Sequence, residues 1–184
     1  MNEDGVDDVV LGGVTTAGDG HLRRYFGGAA GALVGAQLDL LTEIGVSGEG
    51  LSALSVGDFD GDNHQDVVIA VSNSLVVGYG DGIVGFLETQ VIPSTAEVTT
   101  LHAVDLDHEA GDELLVVENG GSVDAELRGY SLVDRQAATE VLSFAPEHRL
   151  GKVEHGDLNG DGVDDIAVDD SAFNGIVEVL MSNP

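Results

Sequence analysis

Short apolar runs recur along the chain, and each opens directly after a stretch rich in acidic and amide residues. The clearest are Val9-Val10-Leu11, Val67-Val68-Ile69, Leu114-Leu115-Val116-Val117 and Ile166-Ala167-Val168. Runs this short, β-branched and bounded by Gly or Asn predict buried strands rather than helices. A Gly- or Asn-containing turn follows each run. A second apolar segment comes next, near Tyr25-Phe26-Gly27, Val76-Val77-Gly78-Tyr79, Leu127-Arg128-Gly129-Tyr130 and Val177-Glu178-Val179-Leu180. A third, such as Glu97-Val98-Thr99-Thr100-Leu101, leads into the next acidic stretch. Helical periodicity is weak: residues 29–44 have room for a turn or two, but Gly31 and Gly35 argue against it. The predicted class is all-β.

The acidic stretches are copies of one pattern. Counting the first Asp as position 1, acidic or amide side chains fall at positions 1, 3, 5 and 9. These are Asp58, Asp60, Asp62 and Asp66 in the second copy, and Asp157, Asn159, Asp161 and Asp165 in the fourth. The third copy has Asp105, Asp107, Glu109 and Glu113; the first has Asn2, Asp4 and Asp8, its position 1 lying before Met1. Position 2 is apolar throughout: Met1, Phe59, Leu106, Leu158. The first aspartates at 58, 105 and 157 put successive copies 47 and 52 residues apart. That period suits one four-stranded antiparallel sheet per repeat, as in propeller blades. The predicted repeats are 1–50, 51–98, 99–149 and 150–184, two complete blades with a partial blade on either side. The expectation is a segment of a larger propeller, or chains that pair their open edges.

Charge narrows the partners. The 184 residues carry 34 acidic against 6 Lys and Arg side chains, a formal net charge of −28. This field repels a phosphate backbone, so nucleic acid is not an expected partner, and anionic membrane surfaces are disfavoured likewise. No apolar run approaches the length of a membrane helix, so no membrane insertion is expected. Cysteine is absent, which removes thiolate metal sites and cysteine nucleophiles.

Acids packed this densely repel one another unless a cation sits among them. Alternate positions 1, 3 and 5 on a tight loop point inward, position 7 offers a backbone carbonyl, and position 9 closes the ring. An all-oxygen set of this kind suits Ca²⁺ better than Mg²⁺, and without Cys or paired His nearby it does not suit zinc. The predicted ligands are Asp58, Asp60, Asp62, His64 and Asp66 in the second loop, and Asp157, Asn159, Asp161, Val163 and Asp165 in the fourth. The weaker sets are Asn2, Asp4, Val6 and Asp8 in the first loop and Asp105, Asp107, Glu109, Gly111 and Glu113 in the third. Position 6 is expected to take a positive φ, which Gly5, Asn63 and Gly162 tolerate. The third copy has Ala110 there, followed by Gly111, so that site is expected to be weak or empty. An EF-hand is excluded, because position 12 is Ile69 or Val168 where a bidentate acid is required.

These loops, each entering a strand, resemble the FG-GAP/VCBS repeat family, which includes the calcium-bearing blades of integrin α-subunit propellers. The resemblance implies a β-propeller, structural Ca²⁺ between the first two strands of a blade, and an extracellular or cell-surface role in adhesion to a protein or carbohydrate ligand. The Phe-Gly half of the family motif is poor: Phe26-Gly27 is its nearest match, and no Gly-Ala-Pro follows a strand.

Catalytic and cofactor motifs are weak. Gly80-Asp81-Gly82-Ile83-Val84-Gly85 spells a dinucleotide fingerprint but runs into β-type sequence, so Asp81-Gly82 is expected to be a hairpin turn. The histidines His21, His64, His102, His108, His148 and His155 do not recur in register and are expected at surfaces or turns. No Ser sits in a nucleophile elbow. A non-enzymatic binding module is therefore the expected function, with a propeller-type hydrolase or lyase, or an accessory region of a larger enzyme, as alternatives.

Overall fold

The computed structural model describes residues 2–34, 40–46, 50–83, 85–94, 96–119, 124–135, 137–146, 150–170 and 177–182. Met1, Gly35, Val84 and His148 fall outside them. Four antiparallel sheets follow one another along the chain. The first contains β1 (Val9–Val14), β2 (Gly20–Gly27) and β3 (Leu33–Val34). After α1 (Leu40–Glu43) comes the second, with β4 (Leu51–Gly57), β5 (Asp66–Val71), β6 (Ser74–Gly80) and β7 (Phe86–Pro93). The third has β8 (Val98–Val104), β9 (Glu113–Glu118), β10 (Glu126–Ser131) and β11 (Thr139–Phe144). The fourth has β12 (Leu150–Gly156), β13 (Asp165–Asp170) and β14 (Val177–Leu180). Strands pair in chain order within every sheet. The arrangement is an all-β, propeller-like segment.

The sheets stack face to face, and the core lies between them. Along β5, Val67, Ile69 and Val71 pack toward the first sheet and α1, while Val68 and Ala70 pack toward the third sheet. Along β9, Leu114 and Val116 meet the second sheet, while Leu115 and Val117 meet the fourth. A strand covered on both faces has no use for a polar alternate position, which is why these segments read as unbroken apolar runs. Each buried Val or Leu side chain contributes roughly 1.5–3 kcal/mol relative to exposure. The first strands of the second and third sheets, β4 and β8, approach closely where the acidic loops begin. A Cβ on Gly57 would lie 2.6 Å from the Ala103 side chain and 2.7 Å from Asp112 Oδ2.

The expectation of no helix in 29–44 is corrected. Ala29–Gly31 form a 3₁₀ turn and Leu40–Glu43 form α1, with Leu40 and Leu41 buried against the second sheet. The glycines that argued against a helix lie outside α1. Gly45 terminates it: with φ +76° it lets Gly45 N–H donate to the Thr42 carbonyl (3.3 Å) and Val46 N–H to the Leu41 carbonyl (2.8 Å), a Schellman cap. Asp81-Gly82 belongs to the link between β6 and β7, with Gly82 at φ +68°. Among the described residues the segment runs from strand to strand with no helix N-terminus to receive a pyrophosphate.

Candidate metal centre

Every acidic loop joins the first strand of a sheet to the second, and its own side chains shape it. Asp58 at position 1 accepts N–H bonds from Gly61 and Asn63, both 2.9 Å. Asp157 does the same for Gly160 (2.6 Å) and Gly162 (3.0 Å), and Asp105 for His108 (2.9 Å). Position 3 accepts from the N–H of position 5: Asp60 from Asp62 (3.1 Å), Asn159 from Asp161 (2.7 Å), Asp107 from Glu109 (2.8 Å). Position 5 accepts from position 7: Asp62 from His64 (2.9 Å), Asp161 from Val163 (3.1 Å), Asp4 from Val6 (2.9 Å). These local bonds favour Asp and Asn over Glu and Gln, because the short side chain reaches two residues ahead.

Position 9 closes the loop. Asp66 accepts from Phe59 N–H (2.9 Å) and from Gly80 N–H at the end of β6 (2.8 Å). Asp165 accepts from Leu158 and Ser182 N–H, both 3.0 Å, and Asp8 from Asn2 and Gly27 N–H, both 2.9 Å. Glu113 uses its extra methylene to reach Leu106 N–H (2.9 Å). Asp66, Glu113 and Asp165 are buried. Burial raises the Asp66 and Glu113 carboxyls to about 7, against the pull of the N–H donors that favour their ionised forms.

Left-handed backbone is more extensive than position 6 alone. Gly5 (φ 83°), Asn63 (67°) and Gly162 (96°) take it there, as expected. So do Glu3 (51°), Gly61 (75°), His108 (64°) and Gly160 (84°) at position 4, which sequence reasoning missed. In the third loop the second left-handed residue moves from Ala110 to Gly111 (φ 97°).

Two loops gather three carboxylates at one point. Asp58, Asp60 and Asp66 each place an oxygen within 4.8 Å of the others, and Asp105, Asp107 and Glu113 do the same. Among the described residues the first and fourth loops form no such acidic triad. Asn159 Nδ2 donates to Asp161 Oδ2 (2.8 Å), and Asn2 Nδ2 to Asp4 Oδ2 (3.1 Å). Asp62 does not join the second triad: its Oδ2 accepts from Arg135 Nη2 (2.7 Å). Arg135 comes from the segment between β10 and β11, so it crosses from the third sheet to the second loop. Its Nε lies against Asp60 Oδ2, and its guanidinium sits 5.2 Å from the Tyr79 ring centre. The His64 side chain turns to Glu3 (2.7 Å) and Glu109 remains exposed, leaving only the main chain of His64 for a ligand role.

Aspartates at position 8, also unread in the sequence, latch one loop to the next. Asp112 donates its N–H to the Asp58 carbonyl (2.6 Å) and accepts Asp58 N–H at Oδ2 (2.9 Å). Asp164 donates its N–H to the Asp105 carbonyl (2.6 Å). Their signal was available in the aligned copies, where Asp7, Asp112 and Asp164 share that position.

The triads fit a hard divalent cation. The donors are all oxygen, the Asp60 side chain is 2% exposed, and burial raises its pKa even with Arg135 beside it. A propeller-like segment with oxygen-rich loops between the first two strands of its sheets defines the class of protein. Residues 50–87, running from the entry to β4 through the second acidic loop into β7, match the FG-GAP repeat family. No curated protein matches the chain.

Proposed function

We propose that the protein is a calcium-binding, non-enzymatic propeller module of a secreted or cell-surface protein that presents loops to a protein or glycan ligand. The convergence of Asp58, Asp60 and Asp66 inside an FG-GAP repeat carries this reading. Asp58 and Asp66 supply oxygens from the two ends of the loop and Asp60 from its middle. The main chain of His64 and solvent would complete an all-oxygen set of the size Ca²⁺ prefers. The ion would supply positive charge that favours the ionised form of Asp66, whose carboxyl is raised chiefly by burial and further by Asp60 and Asp62. The extracellular setting and the adhesive role rest on the family, whose repeats commonly serve such modules. Among the described residues no helix is long and apolar enough to cross a membrane.

Ligand that binds only the folded chain stabilises it by RT ln(1 + [L]/Kd), about 4 kcal/mol at a thousandfold excess over Kd. Thermal melts in Ca²⁺ and in chelator are expected to differ clearly, and Asp58→Ala with Asp105→Ala to remove most of the difference, since these two residues belong to the two triads. Superimposable wild-type melts in the two conditions would reject the calcium reading.

A further inference from the structure

The junction of the third and fourth sheets carries a pair of imidazoles that the acidic loops do not use. His102 is on β8 and half-buried, which corrects its expected placement at a surface or turn, while His155 is on β12 and exposed, at the surface as expected. Their ring centres are 5.4 Å apart and the ring planes cross at 71°. Register locates the oddity. His102 pairs with Leu115 and His155 with Ile166, and the matching pairings in the neighbouring sheets are Ser55 with Val68 and Ala103 with Leu114. The junction of the second and third sheets therefore holds Ser55 and Ala103 where the next one holds two histidines.

Three features separate this pair from ordinary ring packing. His102 Nε2 is buried and has no hydrogen-bond partner. His155 Nδ1 is 2.8 Å from Asp164 Oδ2, so that carboxylate holds the proton on Nδ1 and leaves Nε2 as the ring's open lone pair. Asp164 is also the position-8 residue. Its counterpart Asp112 spends the same oxygen on the N–H of Asp58, whereas Asp164 gives that oxygen to an imidazole. A carboxylate gripping the far nitrogen of a histidine is the arrangement that orients metal-binding imidazoles. Two imidazoles on one tetrahedral ion, with metal–nitrogen bonds near 2.0–2.1 Å, have ring centres about 5.2 Å apart.

We propose that His102 and His155 bind a borderline divalent metal of the zinc type, with Asp164 as the positioning residue for His155 and solvent completing the coordination. Imidazole nitrogen favours such ions over Ca²⁺, so this site and the acidic loops select different metals. Burial lowers the His102 pKa, which keeps the ring in its neutral, ligating form at pH 7. A bound ion would tie β8 to β12 and brace one sheet junction.

The test is a Zn²⁺ titration of the full chain by calorimetry in excess Ca²⁺, which occupies the oxygen sites, with Co²⁺ absorption as a spectroscopic probe. The expected result is one Zn²⁺ per chain, weakened at least tenfold by either His102→Gln or His155→Gln, together with a Co²⁺ spectrum that reports nitrogen ligation. Asp164→Asn is expected to weaken Zn²⁺ about 10- to 100-fold and to shift the His155 ring-nitrogen resonances. Imidazole NMR of the wild-type chain keeps the test open if a variant fails to fold: Zn²⁺ must shift the His102 and His155 signals before those of the other histidines. Unchanged Zn²⁺ affinity in both histidine variants, no stoichiometric Zn²⁺ binding, or undisturbed His102 and His155 resonances would each overturn the proposal.

Discussion

The second and third acidic loops reach the same end by different residues. Both bring three carboxylates within 4.8 Å of one another. The second does so with Asp at every position and left-handed backbone at Gly61 and Asn63; the third closes with Glu113 and places its left-handed residues at His108 and Gly111. The longer acid and the displaced glycine leave one bond in place: the position-9 carboxylate still accepts the N–H of position 2, from Phe59 in one loop and Leu106 in the other. What the repeat preserves is convergence of oxygens around a closed turn, and more than one spacing of glycine delivers it. The two differ most in what stands beside them. Arg135 leans on Asp60 and Asp62 of the second loop, whereas Asp107 and Glu109 of the third are exposed.

Removing the closing acid should separate the loops most strongly. Asp66 serves two backbone N–H groups, and each orphaned buried donor costs about 1–3 kcal/mol, so Asp66→Ala is expected to lose about 2–6 kcal/mol in chelator. Glu113→Ala leaves one such donor and should lose about half as much. Urea unfolding of both variants decides it; equal losses would mean that the Gly80 bond adds nothing. Arg135→Gln comes next. A unit positive charge about 6 Å from a divalent ion in a water-like dielectric opposes it by about 1.4 kcal/mol, so removing it should tighten Ca²⁺ about tenfold at the second loop and leave the third unchanged. The same variant should be less stable in chelator, because Asp60 and Asp62 lose the Arg135 counter-charge. A fall in Ca²⁺ affinity would instead make Arg135 the group that holds those carboxylates in place.

A smaller contrast is expected from pH. Asp66 and Glu113 are raised to about 7 by burial, so between the ordinary carboxylate range and neutrality the folded chain holds more protons than the unfolded one. Stability in chelator should therefore increase as pH falls from about 7 to about 5, and decrease as it rises back through the folded-state values. With Ca²⁺ present the slope should reverse, since protons then compete with the ion. Melts across that range in the two conditions check both signs, and parallel curves would remove the titration of these two acids from the account.

Much of this was legible because the physics is local. A strand buried on both faces must be apolar throughout, so β5 and β9 are visible as Val67-Val68-Ile69 and Leu114-Leu115-Val116-Val117. An Asp that caps an N–H two or three residues ahead must recur at fixed spacing, so the loops are visible too. Contacts made between sheets were not. Arg135 lies 73 residues from Asp62, and nothing near it in the chain marks it as that loop's neighbour. The start of the outer strand β7 was legible as β-type sequence after Gly85, but the outer strand β11 was not, because exposed Thr139, Glu140 and Val141 leave little alternating apolar pattern. The helix at Leu40–Glu43 was missed because glycines were weighed across a window wider than the helix that formed.

The smallest effect is the sharpest test of how the third loop differs from the second. If Ala110 were forced into the backbone that Asn63 and Gly162 adopt, glycine there would relieve strain. The positive φ belongs to Gly111 instead, so Ala110→Gly should change stability by less than about 0.5 kcal/mol. Gly111→Ala should cost more, about 1–2 kcal/mol for the left-handed backbone alone, and its new Cβ would stand 3.0 Å from the main-chain nitrogen of Gly61 in the neighbouring loop. Because that contact joins the two triads, the loss should also weaken Ca²⁺ at the second loop, where no residue was changed. Calorimetry on the two variants reads both effects. A stabilising Ala110→Gly would place the turn back at position 6 and make the two loops variants of one geometry.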